Sequence, residues 1–305
     1  MSSNREQPST MADAQQVPVA SNSINDTANN APRRYIYNDA DMEHFRHSSS
    51  RKELLSFVGA MGRGLTISGC GGGGNPKAKQ MSLPHGGYHP ESPLDYLSPA
   101  LASLHGSLCC ISSTWMDPNH DGIPPDHTVK ARFGNPSFRL WHARLVERSY
   151  GIVRCLMDCY AKHSISEYDG EDKINILTEC SDQGYRAASS EGPTLWQHGE
   201  ASANASSKQE EIICELQAYL HDSFGHPVRI DYGTGHESSF VVFLLSLCKI
   251  GCFLWRCNDG DGKSPSNPPP PEVIGVASLS LFHAYLHVTR GLQRDYMLEP
   301  AGSHG

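Results

Sequence analysis

The sequence predicts an all-α protein, and three observations predict it. Apolar residues recur at three-to-four spacing in successive segments, the period of a helix face. No stretch sustains the period-two alternation of a half-buried strand. Ser98-Pro99 and Asn135-Pro136 each place a capping residue before a proline, which suits the first helical position because its missing N–H has no partner there anyway. Helices packed on helices are the expected architecture.

The elements follow in order. Residues 1–37, rich in Ser, Asn, Gln and Ala, read as a disordered tail ahead of a folded unit over 38–305. Ser50-Arg51-Lys52-Glu53 is a capping box, and Leu54, Val58, Met61 and Leu65 make the stripe behind it. The Gly69–Gly74 run and Pro76 end that helix and open a loop over about 66–93. After Ser98-Pro99, a stripe of Leu101, Leu104, Leu108, Ile111 and Trp115 runs to the Asp117-Pro118 stop. After Asn135-Pro136 come Phe138, Trp141, Leu145, Ile152, Leu156 and Cys159. Residues of about 164–207 are rich in Ser, Gly, Glu and Asp, and read as a polar insertion or mobile loop. A helix over about 208–222 turns Ile212, Leu216, Tyr219 and Leu220 inward. The next, from near His236 to Lys249, is apolar round most of its circumference and reads as the centre of the core. A loop over 258–272 carries Pro268–Pro271, a short polyproline II rod, more a stiff surface insertion than an SH3-type ligand. The last helix, about 273–297, has a stripe of Phe282, Tyr285, Thr289, Leu292 and Tyr296.

Composition narrows the function classes. The formal charge of −8 and pI near 6.0 give no basic excess for nucleic acid. There is no polybasic segment for an anionic membrane surface, and the longest apolar stretch, Phe240 to Trp255, is interrupted by Lys249 and too short to span a bilayer. No apolar leader follows a basic start, so a cytoplasmic location, extending to the nucleus, is expected, with the ten cysteines as reduced thiols.

Arg229-Ile230-Asp231-Tyr232-Gly233-Thr234-Gly235-His236-Glu237 is the most unusual local sequence. Gly233 and Gly235 allow close backbone approach to a ligand. Amides at a helix start form an anion nest, to which Arg229 adds a fixed charge and Thr234 a hydroxyl. Asp231 and Glu237 are candidates to hold Mg²⁺ or orient a partner's backbone. The same residues also read as a tight turn, with Glu237 complementing the helix dipole. The turn is the commoner meaning of such a segment, since Ser238 replaces a third glycine and no strand is predicted before it. Arg139 and Arg144 are candidates to flank an anion, or simply solvated arginines. His283 and His287 stand at a zinc-compatible i,i+4 spacing, but no third ligand is evident, so they read as surface histidines. Cys155/Cys159 and Cys248/Cys252 read as small buried hydrophobes.

The Arg229–Glu237 segment, with Leu247-Cys248-Lys249-Ile250-Gly251 after it, resembles the phosphotyrosyl phosphatase activator family, also called serine/threonine-protein phosphatase 2A activators. Arg132-Phe133-Gly134-Asn135 with Phe138, Arg139 and Trp141, and the run from Tyr296 through Glu299-Pro300-Ala301-Gly302-Ser303 to Gly305, resemble two further blocks of that family, in the right order. The resemblance implies an all-α fold with core, lid and linker regions around a cleft. It implies ATP- and Mg²⁺-dependent action on the catalytic subunit of type 2A phosphatases, and peptidyl-prolyl cis-trans isomerase activity on proline-containing segments. It carries nucleotide contacts onto Arg229, Thr234 and Gly235 and a Mg²⁺ contact onto the Gly305 carbonyl. Asp231, His236 and Glu237 are assigned to the peptide groove. The family continues past this point into a Trp-Gly-Leu-Asp-Asp stretch that the sequence lacks, so a C-terminally incomplete site is expected. The alternative function is a non-catalytic phosphatase-binding module.

Overall fold

The computed structural model describes residues 36–69, 94, 97–130, 134–164, 170–189, 207–254 and 271–301. In chain order these form α1 (Asp39–His47), α2 (Ser49–Gly69), α3 (Pro99–Thr114), α4 (Ser137–His163), α5 (Gly170–Ala188), α6 (Ser207–Asp222), β1 (Asp231–Tyr232), α7 (Thr234–Ile250), α8 (Pro271–Asp295) and β2 (Glu299–Pro300). The fold class is all-α, as the helical periodicity predicts. The expected tail lies outside the described residues except for its last two positions. So do most of the loop expected over 66–93, the prolines before Pro271, and Gly305. Two loop boundaries need correction: α2 continues to Gly69, and Pro271 begins α8.

The capping residue of α2 is Ser48 rather than Ser50. Its Oγ accepts from the Arg51 amide at 3.1 Å, because α1, capped by Asn38, ends at His47 and leaves Ser48 as the hinge. The inward face of α2 is also turned from expectation. Phe57, Ala60 and Met61 are buried while Val58 is 45% exposed, since α2 lies along α8 and Phe57 meets the Phe253 ring edge-on at 6.3 Å.

α3 is the enclosed centre, packed by α5, α4 and α8. Ser98 caps it, accepting from the Leu101 amide at 3.3 Å and donating to the Cys252 carbonyl at 2.5 Å, and all five residues of its predicted stripe are buried. The stripe predicted for α4 is buried throughout. Its 27 residues span about 40 Å, and the Asn135 side chain accepts from the Ser137 amide at 3.1 Å.

The polar insertion expected over 164–207 is corrected: 19 of its residues form α5, which lies on α3 and α4. The segment looks polar because the crossing demands small residues. A Cβ on Gly106 would lie 1.8 Å from the Ser181 carbonyl oxygen, and one on Gly184 1.8 Å from that of Ser103. Two backbones in contact leave no room for the large apolar residues that announce a core helix. Ser107 Oγ donates to Gly184 O at 2.8 Å and Trp115 Nε1 to Ala188 O at 3.0 Å, satisfying both ends of the crossing.

α7 is not the centre of the core, as its composition suggested. Phe240, Phe243, Leu244 and Leu247 are buried, but Val241, Val242, Leu245 and Cys248 are half-buried along the other side. α6 packs between α4 and α7, with Ile213 rather than Ile212 at full burial. A chain of ring contacts, Trp115–Trp141 at 5.3 Å, Trp141–Phe224 at 5.8 Å, Phe224–Tyr285 at 5.3 Å and Tyr285–Phe240 at 4.0 Å, joins α3, α4, α8 and α7 beneath the loop after α6. The eight described cysteines are free thiols. Among the described residues no helix is long and apolar enough to cross a membrane.

Candidate functional site

A short parallel ladder fixes the segment after α6. Asp231 pairs with Glu299 and Tyr232 with Pro300. The Glu299 amide donates to Ile230 O at 3.0 Å and the Ala301 amide to Tyr232 O at 2.9 Å. A strand therefore does precede Gly233-Thr234-Gly235, contrary to the sequence reading. Two residues are too short for alternation to show. Beside it, the Gly134 and Asn135 amides donate to Met297 O at 2.7 Å and Tyr296 O at 2.9 Å. Arg139 Nε donates to Pro227 O at 3.2 Å. Three segments far apart in sequence, around 134–139, 227–237 and 296–301, thus meet through backbone bonds.

Ile230 and Met297 hold left-handed backbone, with φ of 54° and 51°. For a β-branched residue this is a genuine outlier, and its cost of order 1–2 kcal/mol is borne by the surrounding bonds. Gly233 is extended at φ −166°, and an added Cβ would stand 2.9 Å from Ala301 Cβ. Its missing side chain makes room for the C-terminal segment, not for a ligand. Gly235 faces open space, with nothing within 4 Å of an added Cβ.

The polar groups converge on Asp231 and His236. Arg229 Nε donates to Asp231 Oδ2 at 2.6 Å, with the arginine 57% exposed and the carboxylate 12% exposed. Asp231 Oδ1 is buried without a hydrogen-bond partner, and His236 Nε2 stands 3.8 Å away. His236 Nδ1 donates to the Asp222 carbonyl at 2.5 Å, which assigns the proton to Nδ1 and leaves Nε2 facing the carboxylate in the neutral ring. The Tyr232 ring stacks on His236 at 5.6 Å. The Tyr285 hydroxyl donates to Ser223 O at 2.6 Å and so accepts from Tyr232 at 2.7 Å. Burial raises both phenols, keeping them protonated donors.

The structure therefore brings Arg229, Asp231 and His236 together. Thr234 and Gly235 lie exposed, and Glu237 partly exposed, in the first turn of α7, which has no side-chain cap. Gly305 lies outside the described residues. Arg139 and Arg144 do not converge: Arg144 Nη1 donates instead to Asp121 O at 2.6 Å. Sequence reasoning missed Asp222, Ser223 and Tyr285. The first two contribute main-chain carbonyls to this network, which have no residue signature. Tyr285 showed only as part of a helical stripe.

The site belongs to a helical protein with an uncapped helix start beside an Arg–Asp–His cluster, and the whole sequence bears a specific likeness. Residues 32–305 match the phosphotyrosyl phosphate activator (PTPA) protein family, and the chain belongs to that family. It is 36% identical over 188 residues to "Serine/threonine-protein phosphatase 2A activator 1" of Neurospora crassa, covering 61% of this chain and 27% of that protein. It is 28% identical over 274 residues to the protein of the same name from Emericella nidulans, covering 90% of this chain and 48% of that one. The chain thus spans about half, or less, of the length of these curated relatives. The crystal structure of the PP2A phosphatase activator Ypa1 matches 89% of this chain and 59% of its own, at 22% identity and a TM-score of 0.47.

Proposed function

We propose that this chain activates type 2A serine/threonine phosphatases by binding their catalytic subunit, in the cytoplasm and the nucleus. The observation that carries this is the convergence of the three family-like segments on the Arg229–Asp231–His236 cluster, in a chain that belongs to the family. The same reading includes dependence on ATP and Mg²⁺. Two features fit a nucleotide: an uncapped helix start with exposed Thr234 and Gly235 attracts phosphate, and Arg229 keeps its terminal nitrogens for it. The unpartnered Asp231 Oδ1 fits a hydrated Mg²⁺, a hard ion that favours carboxylate oxygen and retains waters. When bound, the Mg²⁺–nucleotide would supply charge that binds and orders the loop. Asp231 would hold Arg229 in place, and the Asp222 carbonyl would fix the His236 ring beside them.

Prolyl isomerase activity belongs to the proposal as its chemical step. Rotation about an X–Pro bond is opposed by amide resonance, a barrier of about 18–20 kcal/mol for the peptide unit. Preferential binding of the twisted state lowers it with no covalent intermediate. His236, with Asp231 and Glu237, would position the peptide backbone.

The test combines activation of a purified type 2A catalytic subunit, with and without Mg²⁺-ATP, and exchange NMR on a proline peptide. Activation that needs Mg²⁺-ATP, together with faster cis-trans exchange, is the expected result. Arg229→Ala should lose about 1.5–3 kcal/mol of ATP binding, the worth of a charge-assisted bond. Phosphatase binding without activation or exchange would replace the enzyme reading with a non-catalytic module, and absence of phosphatase binding would overturn the proposal altogether.

A further inference from the structure

We propose that the cleft between α3 and α8 binds a soft divalent transition-metal cation of the zinc class, held by His105 and Cys109 from α3 and His283 and His287 from α8. The sequence offered only His283 and His287, a pair without a third ligand. The fold supplies the missing side of the site, because α8 packs on α3 and a second i,i+4 pair faces the first across one cleft of about 240 Å³.

Each pair projects from one helix face, since residues four apart lie one turn above the other. The His283 and His287 rings stand 4.7 Å apart. Cys109 Sγ lies 3.6 Å from His105 Nδ1. His105 and His283 line the same cleft from opposite helices. The remaining lining, Leu108, Ser112, Ser280 and Ala284, contains no carboxylate. Three imidazoles and one thiol without a carboxylate are a donor set for zinc, cobalt or copper rather than for magnesium or calcium, which take oxygen ligands. Four such donors match the tetrahedral shell of a structural zinc.

Among the described residues no group of three such side chains converges at metal-binding distance. Cys109, His283 and His287 are exposed, and exposed side chains change rotamer within nanoseconds. Closing the shell is therefore a side-chain movement that leaves both helices in place. His283 and His287 occupy a different face of α8 from Tyr285, which points into the core and bonds Ser223. The cation would pin α8 to α3 and would not enter the Arg229–His236 cluster.

Cobalt(II) titration of the full chain, prepared reduced and free of metal, tests this. One equivalent should give the intense visible bands of a tetrahedral ion together with a thiolate-to-cobalt charge-transfer band, and zinc should displace it. Cys109→Ser should remove the charge-transfer band alone. The His283→Ala/His287→Ala double variant should lose both signals, with affinity down by at least about tenfold, since two of the four ligands of a tetrahedral shell are gone. Thermal melts without metal check that both variants fold, and cobalt should raise the melting temperature of the parent chain and of Cys109→Ser but not of the double variant. The proposal is overturned if the double variant binds as the parent does, if the charge-transfer band survives Cys109→Ser, or if only the weak bands of six-coordinate cobalt appear.

Discussion

Acidification to pH 4.5 should destabilise the protein in large part through His221, and replacing that residue should remove its share of the effect. His221 sits at the end of α6 against α4. Its Nε2 donates to Ser149 Oγ at 2.6 Å, a hydroxyl that also accepts from Gln217 Nε2 at 2.9 Å and donates to Val146 O at 2.9 Å. His142 Nε2 donates to the His221 carbonyl at 3.2 Å. Burial first, and the neighbouring His142 second, hold His221 at about 4, well below its ordinary 6.5. The sign follows from proton counts. Between about 6.5 and about 4 the unfolded chain binds a proton that the folded chain refuses, so stability is full above 6.5 and falls as pH drops. A depression of that size amounts to about 3 kcal/mol at 1.36 kcal/mol per pKa unit, most of which should be lost by pH 4.5. Urea unfolding at a series of pH values from 7.5 to 4.5 measures it. His221→Gln, whose amide nitrogen can still donate to Ser149, should flatten the profile by about that amount. Parallel profiles for parent and variant would refute the reasoning, because the acid sensitivity would then originate elsewhere.

Two further predictions concern glycines. Gly184→Ala should destabilise by about 1–3 kcal/mol or more, the range of overpacking, because its Cβ would stand 1.8 Å from the Ser103 carbonyl and force α3 and α5 apart; a thermal melt within 1 °C of the parent would contradict this. Gly233→Ala should loosen the C-terminal segment by crowding Ala301, whereas Gly235→Ala, with nothing within 4 Å, should leave the fold intact. Hydrogen exchange at the Glu299 and Ala301 amides separates the two, and equal protection in both variants would show that Gly233 does not govern that junction.

Much of the helical framework was legible because its signals are local. Ser98-Pro99 marks its helix start through a cap and a proline that act within one turn, and the stripes of α3 and α4 are buried as their spacing dictates. α5 was illegible for the opposite reason. Its defining contact is backbone against backbone, so the residues at the crossing are Gly and Ser, which in sequence look like a loop. Helix α7 misled through composition, since Val241, Val242 and Leu245 suggest full enclosure but remain half-buried. At the site, Arg229, Asp231 and His236 could be read from one segment. Their supports could not, because the Asp222 and Ser223 carbonyls are present in any residue, and left-handed backbone at Ile230 runs against what a β-branched side chain advertises.

That last feature bears on how the site would respond to a ligand. Ile230 and Met297 each hold left-handed backbone, at a cost of about 1–2 kcal/mol per residue. Glycine would hold the same angles without that cost, but it would leave the Ile230 pocket empty. The Ile230 side chain is 6% exposed and lies over Gly134, and burying it contributes about 1.5–3 kcal/mol. Strain and burial therefore nearly offset one another, and the junction is held chiefly by its few backbone bonds, those of Gly134, Asn135, Glu299 and Ala301. A joint with so small a margin can be shifted by modest binding energy, whereas the aromatic core beneath it cannot. The Tyr232–Tyr285–Ser223 chain and the His236–Asp222 bond end on Ser223 and Asp222, the residue after α6 and its last residue, directly after His221. Protonating His221 would therefore loosen the same anchor that holds the candidate site, so acid should weaken ligand response before it unfolds the core.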